Sequence, residues 1–313
     1  MNSPIITVTF NPAIDETISL DTLSPGEVHR ARSVRFDAGG KGVMVAGCLA
    51  DWGLPVIAAG LLGDGNSALF SALFTAKGID DRFSRYPGQT RTNIKLVDPS
   101  ATTDINLPGT DIPVAMSRQV LETVLRCVDA ETFVVLSGSL PAGFPADTYA
   151  KLIGTLKAHG VRTVLDTSGA ALAAALHTGA MPSVVKPNRA ELETWAGHPL
   201  PNRGDLISAA QGLLDHGVEL VAISLGTEGA LFVSPAMALH ASLPVLQPMS
   251  TVGAGDAMVA GIVAALAENA ALERIARLGT AFAFSKLGQL GPNLGSRDRV
   301  QNLAEQVQLQ RAC

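Results

Sequence analysis

Short apolar runs alternate along the chain with longer stretches whose apolar positions recur at helical spacing. The runs at 5–10, 56–61, 133–137, 163–166, 183–186 and 220–224 predict β-strands. The stretches 42–52, 67–77, 115–127, 146–159, 189–196 and 205–216 predict helices between them. Such alternation builds an α/β fold with a largely parallel sheet and helices on both faces. Residues 253–287 read as two further helices. Two regions break the rhythm. In 15–36 and 90–107 short alternating runs, such as Asn93-Ile94-Lys95-Leu96-Val97, follow one another with no helix between. They predict strands outside the main sheet, either a small β-lid that excludes water from a site or a plain edge hairpin. With no linker, repeat or low-complexity tract, residues 1–313 are expected to form one domain with lid strands from about 15–36 and 90–107.

Composition narrows the class. Hydrophobic residues make up 47% of the 313 and charged residues 16%, as expected when most elements are covered on both faces. The formal net charge of −5 argues against a nucleic-acid binder with a general basic surface. No apolar run reaches the ~18 residues of a membrane span, and Met1-Asn2-Ser3-Pro4 lacks the basic start of a signal peptide. The 3 cysteines, Cys48, Cys127 and Cys313, are scattered, which suggests a reducing compartment and neither a disulfide framework nor a cysteine metal site. A soluble cytoplasmic protein is the expectation.

The chemistry concentrates at predicted strand ends, where open α/β sheets bind ligands. The strongest signal is Ser250-Thr251-Val252-Gly253-Ala254-Gly255-Asp256, followed by the apolar helical run from Ala257. A small-residue turn opening a helix points backbone N–H groups at one spot, and the helix dipole adds positive potential. That suits an anion such as a phosphoryl group in transit. Asp256 beside it would take a proton from an attacking hydroxyl, or else merely cap the helix. Asp37-Ala38-Gly39-Gly40-Lys41-Gly42 allows close backbone approach and supplies a point charge, or is a glycine turn with a solvated lysine. Asn188 and Glu191, three apart after Lys186-Pro187, offer oxygens to Mg²⁺ or form a capping box. Ser224-Leu225-Gly226-Thr227-Glu228-Gly229 reads as a nucleotide-contacting turn or a hairpin loop. Arg91 could pair with a phosphate or sit on a strand surface, and Asp15 could accept from sugar hydroxyls or cap a turn.

Together these residues resemble the PfkB/ribokinase family of sugar kinases over nearly the whole chain. The likeness runs through Thr9-Phe10-Asn11-Pro12-Ala13-Ile14-Asp15, Gly39-Gly40-Lys41-Gly42 and Thr90-Arg91-Thr92-Asn93-Ile94-Lys95. It continues through Ser137-Gly138-Ser139-Leu140-Pro141, Lys186-Pro187-Asn188, Glu191-Leu192, Ser224-Leu225-Gly226 and the turn ending at Asp256. Within the family it is most similar to the bacterial phosphosugar kinases. The resemblance implies a ribokinase-like domain with a β-lid and ATP-dependent phosphorylation of fructose 1-phosphate at its 6-hydroxyl. It implies Asp256 as base and the amides of Gly253, Ala254 and Gly255 as anion hole. By the same carry-over Asp15, Gly39, Gly40, Lys41, Arg91 and Ser139 contact the substrate. Lys186, Asn188, Ser224, Gly226, Gly229 and Thr251 face the nucleotide, and Asn188 and Glu191 the Mg²⁺ shell. Lid strands in this family pair between subunits, so a homodimer is expected.

The chain departs from the family pattern at Met44, where an asparagine usually touches sugar hydroxyls, and at Ala257 after the expected base. The tail at 289–295 is also atypical for a monovalent-cation site. Tagatose-6-phosphate or fructose-6-phosphate kinase, or a sugar-phosphate-binding regulator without turnover, are the alternatives.

Overall fold

The structure, a computed structural model, describes residues 3–177, 179–244 and 252–312. Its strands are β1 (Ile5–Thr9), β2 (Ala13–Ser19), β3 (Ser33–Gly39), β4 (Val56–Gly63), β5 (Asp80–Tyr86), β6 (Thr92–Val97), β7 (Thr102–Asn106), β8 (Phe133–Ser137), β9 (Arg162–Asp166), β10 (Val184–Val185), β11 (Leu220–Ser224), β12 (Ala230–Val233), β13 (Ala238–Ser242) and β14 (Gln308–Arg311). Its helices are α1 (Lys41–Asp51), α2 (Ala68–Lys77), α3 (Met116–Leu125), α4 (Thr148–Ala158), α5 (Gly169–Leu176), α6 (Arg189–Ala196), α7 (Arg203–Asp215), α8 (Ala254–Ala267), α9 (Leu272–Lys286) and α10 (Arg297–Gln306).

The main sheet has the order β14-β13-β12-β11-β10-β9-β8-β1-β4-β5. From β11 to β5 every pairing is parallel, and β12, β13 and β14 close one edge antiparallel. The central strand β1 is apolar on both faces because both are covered. Ile5 packs in the layer of α1, α2, α8, α9 and α10, while Ile6, Val8 and Phe10 join the layer of α3 to α7. Every predicted strand and helix of the alternating part is present. The run predicted at 183–186 forms only the two-residue β10, since Pro187 cannot donate to a ladder. No described helix is long and apolar enough to cross a membrane.

The two irregular regions form a second sheet, β3-β2-β6-β7. Its centre is a parallel pair, Ile14 opposite Thr92 through Ser19 opposite Val97, joining segments some 75 residues apart in sequence. Strand alternation gives this sheet two unlike faces. Asp15, Thr17, Arg35, Asp37 and Lys95 share a polar face that lines a cavity with Met44 and Lys286 of the main layer. Val34 and Phe36 point to the other side and are 48% and 52% exposed.

Candidate active site

α1, α8 and the ends of β9 and β10 converge at the carboxyl edge of the main sheet. Asp166, the last residue of β9, is buried and accepts from Lys41 Nζ and Lys186 Nζ, each at 3.2 Å from its Oδ1. Lys41 opens α1 and Lys186 follows β10, so one carboxylate oxygen holds two ammonium groups from different elements. Burial works against the charge on Lys41, but Asp166, Asp256 and Glu191 outweigh it and hold its pKa above the ordinary value. Asp166-Thr167-Ser168 is one of the candidate motifs that the sequence places at strand ends, but no role for Asp166 follows from the sequence. Its signal was present, a polar residue ending a predicted apolar strand.

The turn at Gly253-Ala254-Gly255 opens α8, as its small residues predict. Gly253 takes φ 78, a left-handed conformation that favours glycine, and it caps α8. A Cβ there would stand 3.0 Å from Met44 Cε and 3.1 Å from Lys286 Cε. Asp256 lies in the first turn of α8. Burial and then Asp166 push its carboxyl up to about 7, against the pull of Lys41, Lys186 and Lys286. A carboxylate poised near neutrality is suited to accept a proton from a hydroxyl. Thr251, expected at the nucleotide, lies outside the described residues.

Two cavities flank this turn. One, of ≈ 300 Å³, is lined by Ser224, Gly226, Thr227 and Gly229 on one side and by Gly255, Met258 and Phe284 on the other. Its polar loop joins antiparallel β11 and β12, so the segment is both a strand connection and a cavity wall. The apolar wall from α8 and α9 escaped sequence reading because its positions look like ordinary core. The other cavity, of ≈ 480 Å³, brings Asp15, Lys95 and Asp104 of the small sheet to Met44, Val252 and Lys286.

A hydrogen-bond chain starts from Asp15 and Lys95 in the wall of that second cavity. Asp15 Oδ1 accepts from Asn93 Nδ2 at 3.0 Å and pairs with Lys95 Nζ at 3.2 Å. Arg91 donates from Nε to Asn11 Oδ1 at 3.0 Å and from Nη1 to Asn93 Oδ1 at 2.7 Å. Its Nη2 donates to the Asn11 carbonyl at 3.4 Å. Of the five guanidinium N–H groups, one on each η nitrogen is left for a ligand among the described residues. Asn11 Nδ2 in turn reaches Ser139 Oγ at 3.1 Å. A Cβ at Gly39 would come within 2.8 Å of the Asp15 carboxyl and 3.0 Å of the Ala13 carbonyl, so a larger residue would displace Asp15. Asn11 and Asn93 thus join the expected Asp15, Arg91 and Ser139 in one network.

Asn188 and Glu191 form the capping box that their spacing allowed. Asn188 Oδ1 accepts from Glu191 N at 2.9 Å, and Glu191 Oε2 accepts from Asn188 N at 2.8 Å. No group of three or more potential metal-ligating side chains occurs among the described residues. The nearby Oδ2 of Asp166 is buried without a hydrogen-bond partner. Oxygen donors of this kind fit a hard cation held largely through water and phosphate.

Comparison with known proteins agrees with this geometry. The family model of pfkB family carbohydrate kinases matches residues 8–299. The chain is 55% identical over 292 residues to the 1-phosphofructokinase of Xanthomonas campestris pv. campestris, covering 92% of each. It is 43% identical to the 1-phosphofructokinase of Rhodobacter capsulatus, covering 98% of each. Among solved structures, phosphofructokinase-2 from Escherichia coli in complex with substrates and products superposes with a TM-score of 0.90 at 31% identity, over 96% of this chain and 98% of that one. With an acid of raised pKa at a glycine turn between two cavities and this degree of likeness, the chain belongs to the pfkB family of carbohydrate kinases, phosphotransferases acting on a sugar hydroxyl.

Proposed function

We propose that the chain is an ATP-dependent 1-phosphofructokinase, transferring the γ-phosphoryl group to O6 of fructose 1-phosphate to give fructose 1,6-bisphosphate and ADP. The observation that carries this reading is Asp256, an acid raised to about 7 at the head of α8, between a cavity walled by loop and apolar helix and one walled by charge. The kinship with 1-phosphofructokinases supports the choice of sugar.

The chemistry follows from placement. The nucleotide occupies the cavity beside Ser224, Gly226 and Gly229, with Lys186 and Asn188 near its phosphates. The sugar occupies the charged cavity, its hydroxyls on Asp15 and the Gly39-Gly40 backbone, and its 1-phosphate toward Arg91 and Ser139. Asp256 takes the proton of the 6-hydroxyl as O6 attacks phosphorus and the bond to the β–γ bridging oxygen breaks. The amides of Gly253, Ala254 and Gly255 and the ammonium of Lys41 stabilise the charge on the transferring group. Asn188, Glu191 and the Asp166 oxygen would hold a Mg²⁺ bound with ATP, which would supply neutralising charge to the phosphates. The small sheet, polar toward the sugar, acts as a lid within one domain.

The apolar outer face of that lid supports a homodimer. Val34 and Phe36 on β3 share it with Ile18 of β2, Ile94 and Leu96 of β6, and Ile105 of β7, by the strand registers. Use of ATP and a phosphosugar fits a cytoplasmic enzyme. A coupled ADP-release assay over fructose 1-phosphate, fructose 6-phosphate, tagatose 6-phosphate and fructose tests the assignment. The highest kcat/KM is expected for fructose 1-phosphate; a preference for another sugar would overturn that substrate, and no turnover would overturn the enzyme.

A further inference from the structure

Lys286 ends α9 and is only 2% exposed. Its Nζ donates to the Gln289 carbonyl at 2.8 Å, and among the described residues no carboxylate lies within 4.0 Å of it. A buried ammonium without an ion pair is costly and uncommon. The side chain also touches the reaction centre's scaffold. Its Cε would meet a Cβ at Gly253 at 3.1 Å, so the aliphatic arm braces the anion turn from behind, and the residue lines the sugar cavity.

We propose that Lys286 is a positioning residue for phosphoryl transfer, a fixed internal cation that ties the 286–291 loop to the Gly253 turn and projects positive charge toward the anion hole. This rests on the kinase reading above. Its arm limits where Gly253 can move, which keeps the amides of α8 aimed at one point. Its charge favours both an anion on those amides and the ionised form of Asp256. Burial draws the Lys286 pKa down, with Cys48 and Asp37 acting the other way, Arg35 lowering it further and Asp256 raising it. Asp256 is faced by Asp166 from β9, Lys41 from α1, Lys186 after β10 and Lys286 from α9.

The test uses the full-length chain with fructose 1-phosphate and ATP. Lys286→Met should lower kcat about tenfold, the size of one unit charge acting across an interior of effective dielectric about 20, while KM for both substrates stays nearly constant. The acid limb of kcat/KM should move to higher pH, because Asp256 loses one of its three cations. In Lys286→Ala, added ammonium or potassium chloride should restore part of the lost rate and tetramethylammonium should not, whereas the wild type responds to none of them. If Lys286→Met does not fold, Lys286→Gln takes its place with the same outcomes. Wild-type kcat with an unmoved acid limb would overturn the proposal. So would a rate loss that tracks a lowered Tm, resists rescue and leaves the pH profile unchanged, which would assign Lys286 to packing alone. A wild type inactive on every sugar would instead refute the kinase reading on which the proposal stands.

Discussion

Replacing Asp256 by asparagine tests the centre of the mechanism. The amide keeps the shape of the side chain at the head of α8 and cannot accept the proton of the 6-hydroxyl. A positioned general base contributes roughly 10²–10⁴ in rate, or ~2.7–5.4 kcal/mol at 1.36 kcal/mol per decade, so kcat should fall by that factor. Nucleotide affinity should not fall with it. The wild-type cluster sets Lys41, Lys186 and Lys286 against Asp166 and Asp256, and the variant leaves the three cations facing one carboxylate. Phosphate binding in that more positive site is held or strengthened. Stability should not fall either. An acid whose folded pKa is raised above its ordinary 3.8 opposes folding when ionised, so above pH 7 the asparagine removes an unfavourable charge. The assay is therefore threefold on purified protein, with steady-state kcat on fructose 1-phosphate, Kd for ATP, and Tm at pH 8. A kcat within tenfold of wild type would refute Asp256 as base. Parallel loss of kcat and ATP binding would mean that the substitution damages the anion turn and that the shape argument is wrong.

Other predictions draw on the rest of the site. The wild-type kcat/KM should decline as pH falls through about 7, as Asp256 gains its proton, and that limb should vanish in Asp256→Asn; a flat profile down to the ordinary carboxylate range would contradict the assignment. Arg91→Ala should raise KM for fructose 1-phosphate roughly 10- to 150-fold, from a lost charge-assisted contact of about 1.5–3 kcal/mol, with little change in KM for ATP; equal effects on both substrates would remove Arg91 from the phosphate. Phe36→Asp, on the exposed apolar face of the lid, should convert a dimer to monomer by light scattering, and an unchanged mass would place the interface elsewhere. Met44→Asn should lower KM for fructose 1-phosphate several-fold through one added hydrogen bond of ~0.5–1.5 kcal/mol, while kcat falls as the methyl contact behind Gly253 is lost. Unchanged KM for fructose 1-phosphate, fructose 6-phosphate and tagatose 6-phosphate would show that residue 44 does not face the sugar.

What the sequence determined by itself is what local chemistry decides. The parallel core was legible because strands covered on both faces are apolar throughout, as in β1, β4 and β8. The sharp turn into α8 was legible because glycine readily takes the left-handed conformation found at Gly253. Asn188 and Glu191 announced their capping box through spacing alone. The tertiary structure decided everything that depends on which distant segments meet. The parallel pairing of β2 with β6 leaves no local signal, since alternation is the same whatever the partner. The joining of half-buried Lys41 to buried Asp166 and Lys186 arises only when the ends of β3, β9 and β10 are brought to one edge of two adjoining sheets. Lys286 reads in the sequence as an ordinary basic residue at the end of a helix. Only the packing of α9 beside α8 seals its ammonium from water and lays its aliphatic arm beside Gly253. Elements follow from short-range sterics and hydrophobic period, whereas a charge's surroundings, and therefore its chemistry, are set by the closure of the whole chain.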